Sequence, residues 1–315
     1  LLGSGVGTFA AQVTYGAGSD PLAIAVGDFN GDGQPDLAAV NYESNTVSVL
    51  LNQGGGVFGP ASAYPVGTEP VALVVADFNA DGYLDLAAVN LVDNTVSVLL
   101  GTGTGTFGAQ ITAAIGQQSP QPLVVGDFNE DGLPDLAVVA GASLVVLLGT
   151  GGGGLEAQPF IGLPVSVLAV AAGDFNEDGH LDLAMPGSLG ELPNGSVPAA
   201  LAVVLGTGTG AFGPATTFQV GTGVNPAPFA IVAADFTSDG HEDLAIANLG
   251  DSAISILLGA GTGTFGAQLT FPVGPGPRSV AAGDFNGSGY PDIAVVNDSE
   301  DDPPGAVSVI LNGCR

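Results

Sequence analysis

Asp28-Phe29-Asn30-Gly31-Asp32-Gly33-Gln34-Pro35-Asp36, with Leu37-Ala38-Ala39-Val40 behind it, is the stretch that decides the fold. The pattern recurs at Asp77 (DFNADGYLDLAAV), Asp127 (DFNEDGLPDLAVV), Asp174 (DFNEDGHLDLAMP), Asp235 (DFTSDGHEDLAIA) and Asp284 (DFNGSGYPDIAVV). The spacings are 49, 50, 47, 61 and 49 residues, and the long interval carries an insertion over residues 187–198. Self-similarity at a fixed period marks a repeat architecture. No linker or composition shift interrupts the series, so the sequence reads as one domain, residues 1–315.

Each repeat reads as four strands. In the first, residues 22–26 are apolar and run into the acidic loop, and 37–40 leave it. Residues 46–51 alternate Val47, Val49 and Leu51 with polar neighbours, the period of a half-buried strand. A Gly-rich turn and a weaker strand over 61–66 complete the unit. No window holds a helical period. Four short strands per repeat, six times over, predict an all-β, six-bladed β-propeller of four-stranded antiparallel blades. The ends overlap: VSVILN at 307–312 aligns with 47–52, and LLGSGVGTF at 1–9 aligns with 50–58. The last repeat lacks its fourth strand, and residues 9–15 are of the matching type. The N-terminal strand is therefore expected to complete the last blade, its own or that of a neighbouring molecule, the latter giving a ring or filament.

The loops read as cation sites. Positions 1, 3, 5 and 9 carry oxygen side chains, position 7 can offer its backbone carbonyl, and a glycine at position 6 permits the turn around an ion. The expected ligands are Asp28, Asn30, Asp32, Gln34 and Asp36 in the first loop, and Asp77, Asn79, Asp81, Tyr83 and Asp85 in the second. They are Asp127, Asn129, Asp131, Leu133 and Asp135 in the third, and Asp174, Asn176, Asp178, His180 and Asp182 in the fourth. The fifth offers Asp235, Thr237, Asp239, His241 and Asp243, and the sixth Asp284, Asn286, Ser288, Tyr290 and Asp292. Hard oxygen donors in this number suit Ca²⁺, up to six ions, better than Mg²⁺. The loop is not an EF-hand, because Ala39 stands at position 12 and strands flank it. Seventeen of the 31 acids lie at ligand positions, and six Ca²⁺ would take the net charge from −29 to −17. The sixth loop, with Ser288 for Asp, is expected to bind most weakly.

These loops, the apolar strands around them and the recurring turns Phe58-Gly59, Phe107-Gly108, Phe212-Gly213 and Phe265-Gly266 resemble the FG-GAP/VCBS repeat family. Its members are similar to the integrin α-subunit β-propeller, with a Ca²⁺ loop joining the first two strands of a blade. The resemblance covers nearly the whole chain and implies a propeller that binds Ca²⁺. It implies little about activity, since the family includes adhesins, lectins and polysaccharide lyases. Integrin propellers have seven blades, whereas this chain supplies six loops.

Composition narrows the partners. Against 31 acids stand two cationic residues, Arg278 and Arg315, and no lysine. Nucleic acid and anionic membrane surfaces are excluded as partners on charge. No apolar run reaches the length of a membrane span. Leu1 to Ala10 has no basic segment of the secretory kind, which points to a processed form or a start elsewhere. The single cysteine, Cys314, allows no intrachain disulfide.

Other signals read as structural. Residues 103–108, 208–213 and 261–266 match GxGxxG, but no helix follows, so they are turns needing positive φ. His180 and His241 sit at loop position 7 and read as solvated residues rather than bases. The sequons at Asn194 and Asn297 read as lying in insertions. The absence of lysine and the single internal arginine argue against a polysaccharide lyase. Trp is absent and Tyr occurs five times, which weakens a lectin reading, though Tyr83 and Tyr290 share loop position 7. The sequence thus points to an extracellular or cell-surface structural or adhesive module without catalytic or organic-cofactor residues, its partners other protein chains, itself included. A glycan-binding lectin is the first alternative and a polysaccharide-active enzyme the second.

Overall fold

The computed structural model describes residues 13–298 and 306–313. Among them every regular element is a β-strand except one short 3₁₀ turn, Leu249–Asp251. No helix is long and apolar enough to cross a membrane.

The first sheet is Pro21–Gly27, Asp36–Asn41, Thr46–Leu50 and Ser62–Pro65, antiparallel and in chain order across the sheet. The second repeats it with Pro70–Ala76, Asp85–Asn90, Thr95–Leu99 and Ile111–Ala114. In the third, the outer strand is broken into Leu155–Ala157 and Ile161–Gly162, with Pro159, which lacks a backbone donor, in the gap. In the fourth, the first strand is broken into Ser166–Val167 and Ala171–Gly173. The insertion prolongs the hairpin between that sheet's central strands, Asp182–Ser188 and Ala199–Val204, where Leu189 N–H donates to Pro198 O at 2.8 Å. The fifth sheet has four strands, and the sixth has three among the described residues: Pro277–Gly283, Asp292–Asn297 and Ala306–Ile310. The all-β, blade-type reading of the sequence holds. The strand expected to complete the last sheet lies mostly outside the described residues, as does Cys314.

Contacts gather the chain into two compact units. One is Leu1–Val125 with Gly132–Val138 and Leu147–Gln158; the other is Gly126–Asp131 with Val139–Val146 and Pro159–Arg315. In the first, Val40, Val47 and Val49 pack with Leu73, Leu86 and Leu99. In the second, Leu201 and Val203 pack with Leu244 and Ile246, and Ile254 and Ile256 with Ile293 and Val295.

Several first strands begin with a proline at a bulge, at Pro21/Ala23, Pro70/Ala72, Pro228/Ala230 and Pro277/Ser279. Proline has no donor to lose at a strand's first residue, and the bulge turns the strand toward its loop. The second strand of several repeats ends in a buried asparagine, as at Asn41, Asn90 and Asn248, whose amide donates to a buried serine of the third strand at 2.8–3.0 Å. One sequon needs correction on these grounds. Asn297 ends the strand Asp292–Asn297 and is 1% exposed, so it does not lie in an insertion loop.

Candidate metal centre

The acidic loop is a single turn built six times on backbone N–H groups. In the first copy, Asp28 Oδ1 accepts from Gly31 N at 2.8 Å and Asp32 N at 3.1 Å, while Oδ2 accepts from Gly33 N at 2.7 Å. Asn30 Oδ1 shares the Asp32 N–H at 3.0 Å. Asp32 in turn takes Gln34 N at 2.8 Å and the Asn30 amide at 3.1 Å. Oxygens from positions 1 and 3 thus converge on one donor, and position 5 stands beside them. The chain can fold this way because positions 4 and 6 both adopt positive φ. Gly33 is at +79°, as the sequence requires, but Ala80, Glu130, Glu177 and Ser238 hold the same geometry at position 4 without being glycine. That second left-handed residue has no signature in the sequence.

The later loops repeat the arrangement with local differences. Asp81, Asp131 and Asp178 each donate their N–H to the first-position aspartate at 3.1 Å and take the neighbouring asparagine amide at 2.8–2.9 Å. In the fifth, Thr237 turns its hydroxyl to Asp235 at 3.4 Å. In the sixth, Asn286 turns its amide away to Asp292, also at 3.4 Å, and Ser288 offers only a hydroxyl to Tyr290 N at 3.3 Å. The loop expected to be weakest is the one whose position-5 oxygen is neutral.

Position 9 is different in kind. Asp36, Asp85, Asp182, Asp243 and Asp292 are fully buried. Asp85 accepts from Phe78 N at 2.8 Å on one oxygen and from Gly101 N at 2.6 Å on the other. Asp36, Asp182, Asp243 and Asp292 make the same pair of bonds to the loop's phenylalanine N–H and to a residue just past the third strand. This aspartate is a latch that ties loop to sheet, and in Asp36, Asp85, Asp182 and Asp243 each carboxylate oxygen accepts one such bond, while Asp292 Oδ1 also takes the Asn286 amide. Burial pushes Asp85 up to about 6 against the pull of its two N–H donors, and Asp81 and Asp77 add to the rise. Burial raises Asp182 and Asp243 in the same way. The exposed acids go the other way: backbone N–H donation holds Asp178, Asp239 and Asp284 below the usual carboxylate value.

The first four loops are also held by the Gly-rich turn of the following repeat. Gly105 N donates to Phe29 O at 2.8 Å, Gly153 N to Phe78 O at 3.2 Å, Gly210 N to Phe128 O at 2.7 Å and Gly263 N to Phe175 O at 2.8 Å. The Phe-Gly phenylalanines meet the loop phenylalanines edge-on, as in Phe29–Phe107, Phe128–Phe212 and Phe175–Phe265. The GxGxxG matches are therefore turns, as expected. Gly103, at φ +69°, also has no room for a side chain: a Cβ there would stand 2.3 Å from the Tyr83 ring.

Two features of the loops escape the sequence. The histidines are not free in solvent, which corrects the expectation for them. His180 Nδ1 pairs with Glu130 and His241 Nδ1 with Glu177, each glutamate sitting at position 4 of the preceding loop. That hydrogen bond raises the pKa of each imidazole. The other is Glu242 at position 8, where loops two and four have Leu84 and Leu181. Leu84 and Leu181 lie against Gly27 and Gly126, and Glu242 lies in the same way against Gly173. Its Oε2 is buried with no hydrogen-bond partner, and burial, then Asp174 and Asp182, push its carboxyl up.

Among the described residues no three His, Cys, Asp or Glu side chains form by themselves a group able to hold a metal. The donors brought together are instead mixed: in the first five loops two carboxylates and an amide or hydroxyl from positions 1, 3 and 5, and in the sixth one carboxylate, an amide and a hydroxyl, all hard oxygens. That donor set fits Ca²⁺ and no softer metal. In the first four loops the position-3 asparagine amide donates to the position-5 carboxylate.

The fold has known relatives. A protein from Lactobacillus plantarum superposes with a TM-score of 0.66 at 16% identity, covering 95% of this chain and 86% of that one. A lectin from Agrocybe aegerita that recognises non-reducing terminal N-acetylglucosamine gives 0.59 at 19% identity, covering 92% and 80%. The periplasmic gluconolactonase of Pseudomonas aeruginosa gives 0.52 at 16% identity, covering 90% and 72%. At these identities the likeness is one of fold. No curated protein matches in sequence. The model of the FG-GAP-like repeat matches residues 1–39, 28–88, 77–138, 127–185 and 235–295. Those matches take in well over half of the sequence, and the chain belongs to the FG-GAP-like repeat family.

Proposed function

We propose that the protein is an extracellular structural or adhesive module of β-propeller type, stabilised by Ca²⁺ in its acidic loops. The observation that carries this reading is the repeated convergence of oxygens from positions 1 and 3 on the backbone N–H of position 5, with the position-5 carboxylate beside them, in a chain with 31 acids and two cationic residues. Clustered carboxylates repel one another, and a divalent ion relieves that repulsion. Extracellular Ca²⁺ is millimolar, which suits sites of about 10⁻⁴–10⁻³ M. At tenfold saturation each site adds about 1.4 kcal/mol, so six add roughly 8 kcal/mol. That is comparable to the whole net stability of a domain. Excess EGTA should therefore lower the melting temperature by well over 10 °C, and added Ca²⁺ should restore it. An unchanged melt in chelator refutes the reading.

The module acts by binding rather than by turnover. Both histidines are engaged by glutamates, which supports this. No hydrolysis or elimination is expected on a panel of polysaccharides. Tyr83, half-exposed at 49%, keeps glycan binding as the competing reading. Saturable binding on a glycan array, lost in Tyr83→Ala, would favour it.

A further inference from the structure

In the second, fourth and fifth repeats the position-7 side chain rests on a glycine of its own repeat's Gly-rich turn. A Cβ at Gly103 would meet the Tyr83 ring, and one at Gly208 or Gly261 would stand 2.6 Å from the ring of His180 or His241. In the fourth and fifth repeats another group closes on the same ring. Glu130 and Glu177, at position 4 of the loops before, reach across to pair with His180 Nδ1 and His241 Nδ1. The same Cβ atoms would stand 2.8 Å from Glu130 Oε1 and 2.7 Å from Glu177 Oε1, so glutamate, histidine and turn meet at one point. All six residues belong to the second compact unit. The first two loops have Gly31 and Ala80 at position 4, with no polar side chain to reach across.

Position 7 is the one ligand position that offers its backbone carbonyl, which leaves its side chain available as a handle. Its N–H already donates to the position-5 carboxylate: His180 N to Asp178 Oδ1 at 2.9 Å, and His241 N to Asp239 Oδ1 at 3.0 Å. The residue is thus tied by its backbone to its own loop, and by its ring to the preceding loop and to the turn. Ordering a ligand group costs conformational entropy, and a group ordered beforehand spares that cost when an ion binds.

We propose that Glu130 and Glu177 are positioning residues for the cation sites of the fourth and fifth loops, each clamping the histidine whose backbone carbonyl is the position-7 ligand of the next loop. The proposal rests on the Ca²⁺ reading above and says what tunes two of the six loops. The glutamate side chains are half-exposed, and pairs of that kind shift an equilibrium by about two- to fivefold.

The test is calorimetric titration of the full chain with Ca²⁺, beside thermal melts in EGTA. Glu130→Ala keeps a backbone that alanine accepts, since Ala80 holds the same position at φ +57° in the second loop. Its melt in EGTA should lie close to wild type, while one site should bind about two- to fivefold more weakly at unchanged stoichiometry. Asp178→Ala removes a charged ligand of the fourth loop, and on that background Glu130→Ala should have no further effect on binding. Glu130→Gln keeps an oxygen for the imidazole N–H but no charge, and should keep wild-type affinity. Glu177→Ala, alone and on Asp239→Ala, repeats the comparison at the fifth loop and carries the test if Glu130→Ala does not fold. Affinity unchanged in the alanine variants, a loss that persists on the Asp178→Ala background, or a Glu130→Gln as weak as Glu130→Ala overturns the proposal. Ca²⁺ bound by wild type without these differences refutes the clamp and leaves the Ca²⁺ reading standing, whereas no Ca²⁺ binding at all refutes both.

Discussion

Asp85→Ala separates a latch from a ligand. The carboxylate is fully buried and holds two buried N–H groups, Phe78 at 2.8 Å and Gly101 at 2.6 Å. Stranding a buried donor costs about 1–3 kcal/mol, so two lost partners amount to roughly 2–6 kcal/mol. Part of this is offset, because the substitution also removes the burial penalty that pushes Asp85 up to about 6. A net loss of about 3 kcal/mol is expected, or roughly 6–12 °C in melting temperature at about 2–4 °C per kcal/mol. Asp81→Ala removes an exposed position-5 carboxylate, and in EGTA it should change stability by no more than about 0.5 kcal/mol. In saturating Ca²⁺ its effect should grow, because a charged ligand is then missing. Calorimetric melts of both variants and wild type, each in EGTA and in Ca²⁺, provide the comparison. Equal losses for the two variants in EGTA would refute the assignment of position 9 as a structural tie.

Glu242→Leu restores the residue type of the second and fourth loops and removes the unpartnered buried oxygen, so the chain should become more stable by about 1–3 kcal/mol in denaturant titration. Tyr42 donates to Glu69 Oε2 at 2.7 Å, and that bond, then burial, raise its pKa. The raised folded value means that the bond's contribution is present at neutral pH and lost as pH climbs through that value. Ultraviolet titration should show Tyr42 ionising at lower pH in Glu69→Ala than in wild type. Gly103→Ala forces a Cβ into a φ of +69° and against the Tyr83 ring, and should cost roughly 1–3 kcal/mol in chemical denaturation, partly recovered by adding Tyr83→Ala.

Much of this was legible because it is local. The period, the strand alternation at Val47, Val49 and Leu51, and the glycine at position 6 each report on a few adjacent residues. Position 9 reads from the sequence as a ligand like the others, but the two N–H groups that it also holds were not legible, since an aspartate in an acidic loop looks the same with or without them. The second of those groups lies beyond the third strand, 16 residues from Asp85 in the case of Gly101, and meets it only after the sheet has paired. Glu130 and His180 are 50 residues apart, and Glu177 and His241 are 64 apart. Their pairing depends on the packing of one repeat on the next, which no single repeat encodes. The asparagine–serine pairs at Asn41 and Ser48 are spaced seven residues and recur, so the signal was present, but it was masked by the apolar pattern around it.

The bond from each Gly-rich turn to the preceding loop's phenylalanine carbonyl has a thermodynamic corollary. It means that each of the first four acidic loops is finished by the repeat that follows it. The loop at Asp284 to Asp292 ends the series, and its Phe285 stands uncovered where its counterparts are sheltered. A neutral Ser288 in place of an aspartate leaves that loop poor in charge on its own. For the four loops so bonded, ion affinity and the docking of the following repeat's turn would then be two readings of one coupling free energy. By reciprocity, an ion that tightens that docking would itself be held more tightly once the turn is docked, by the same factor.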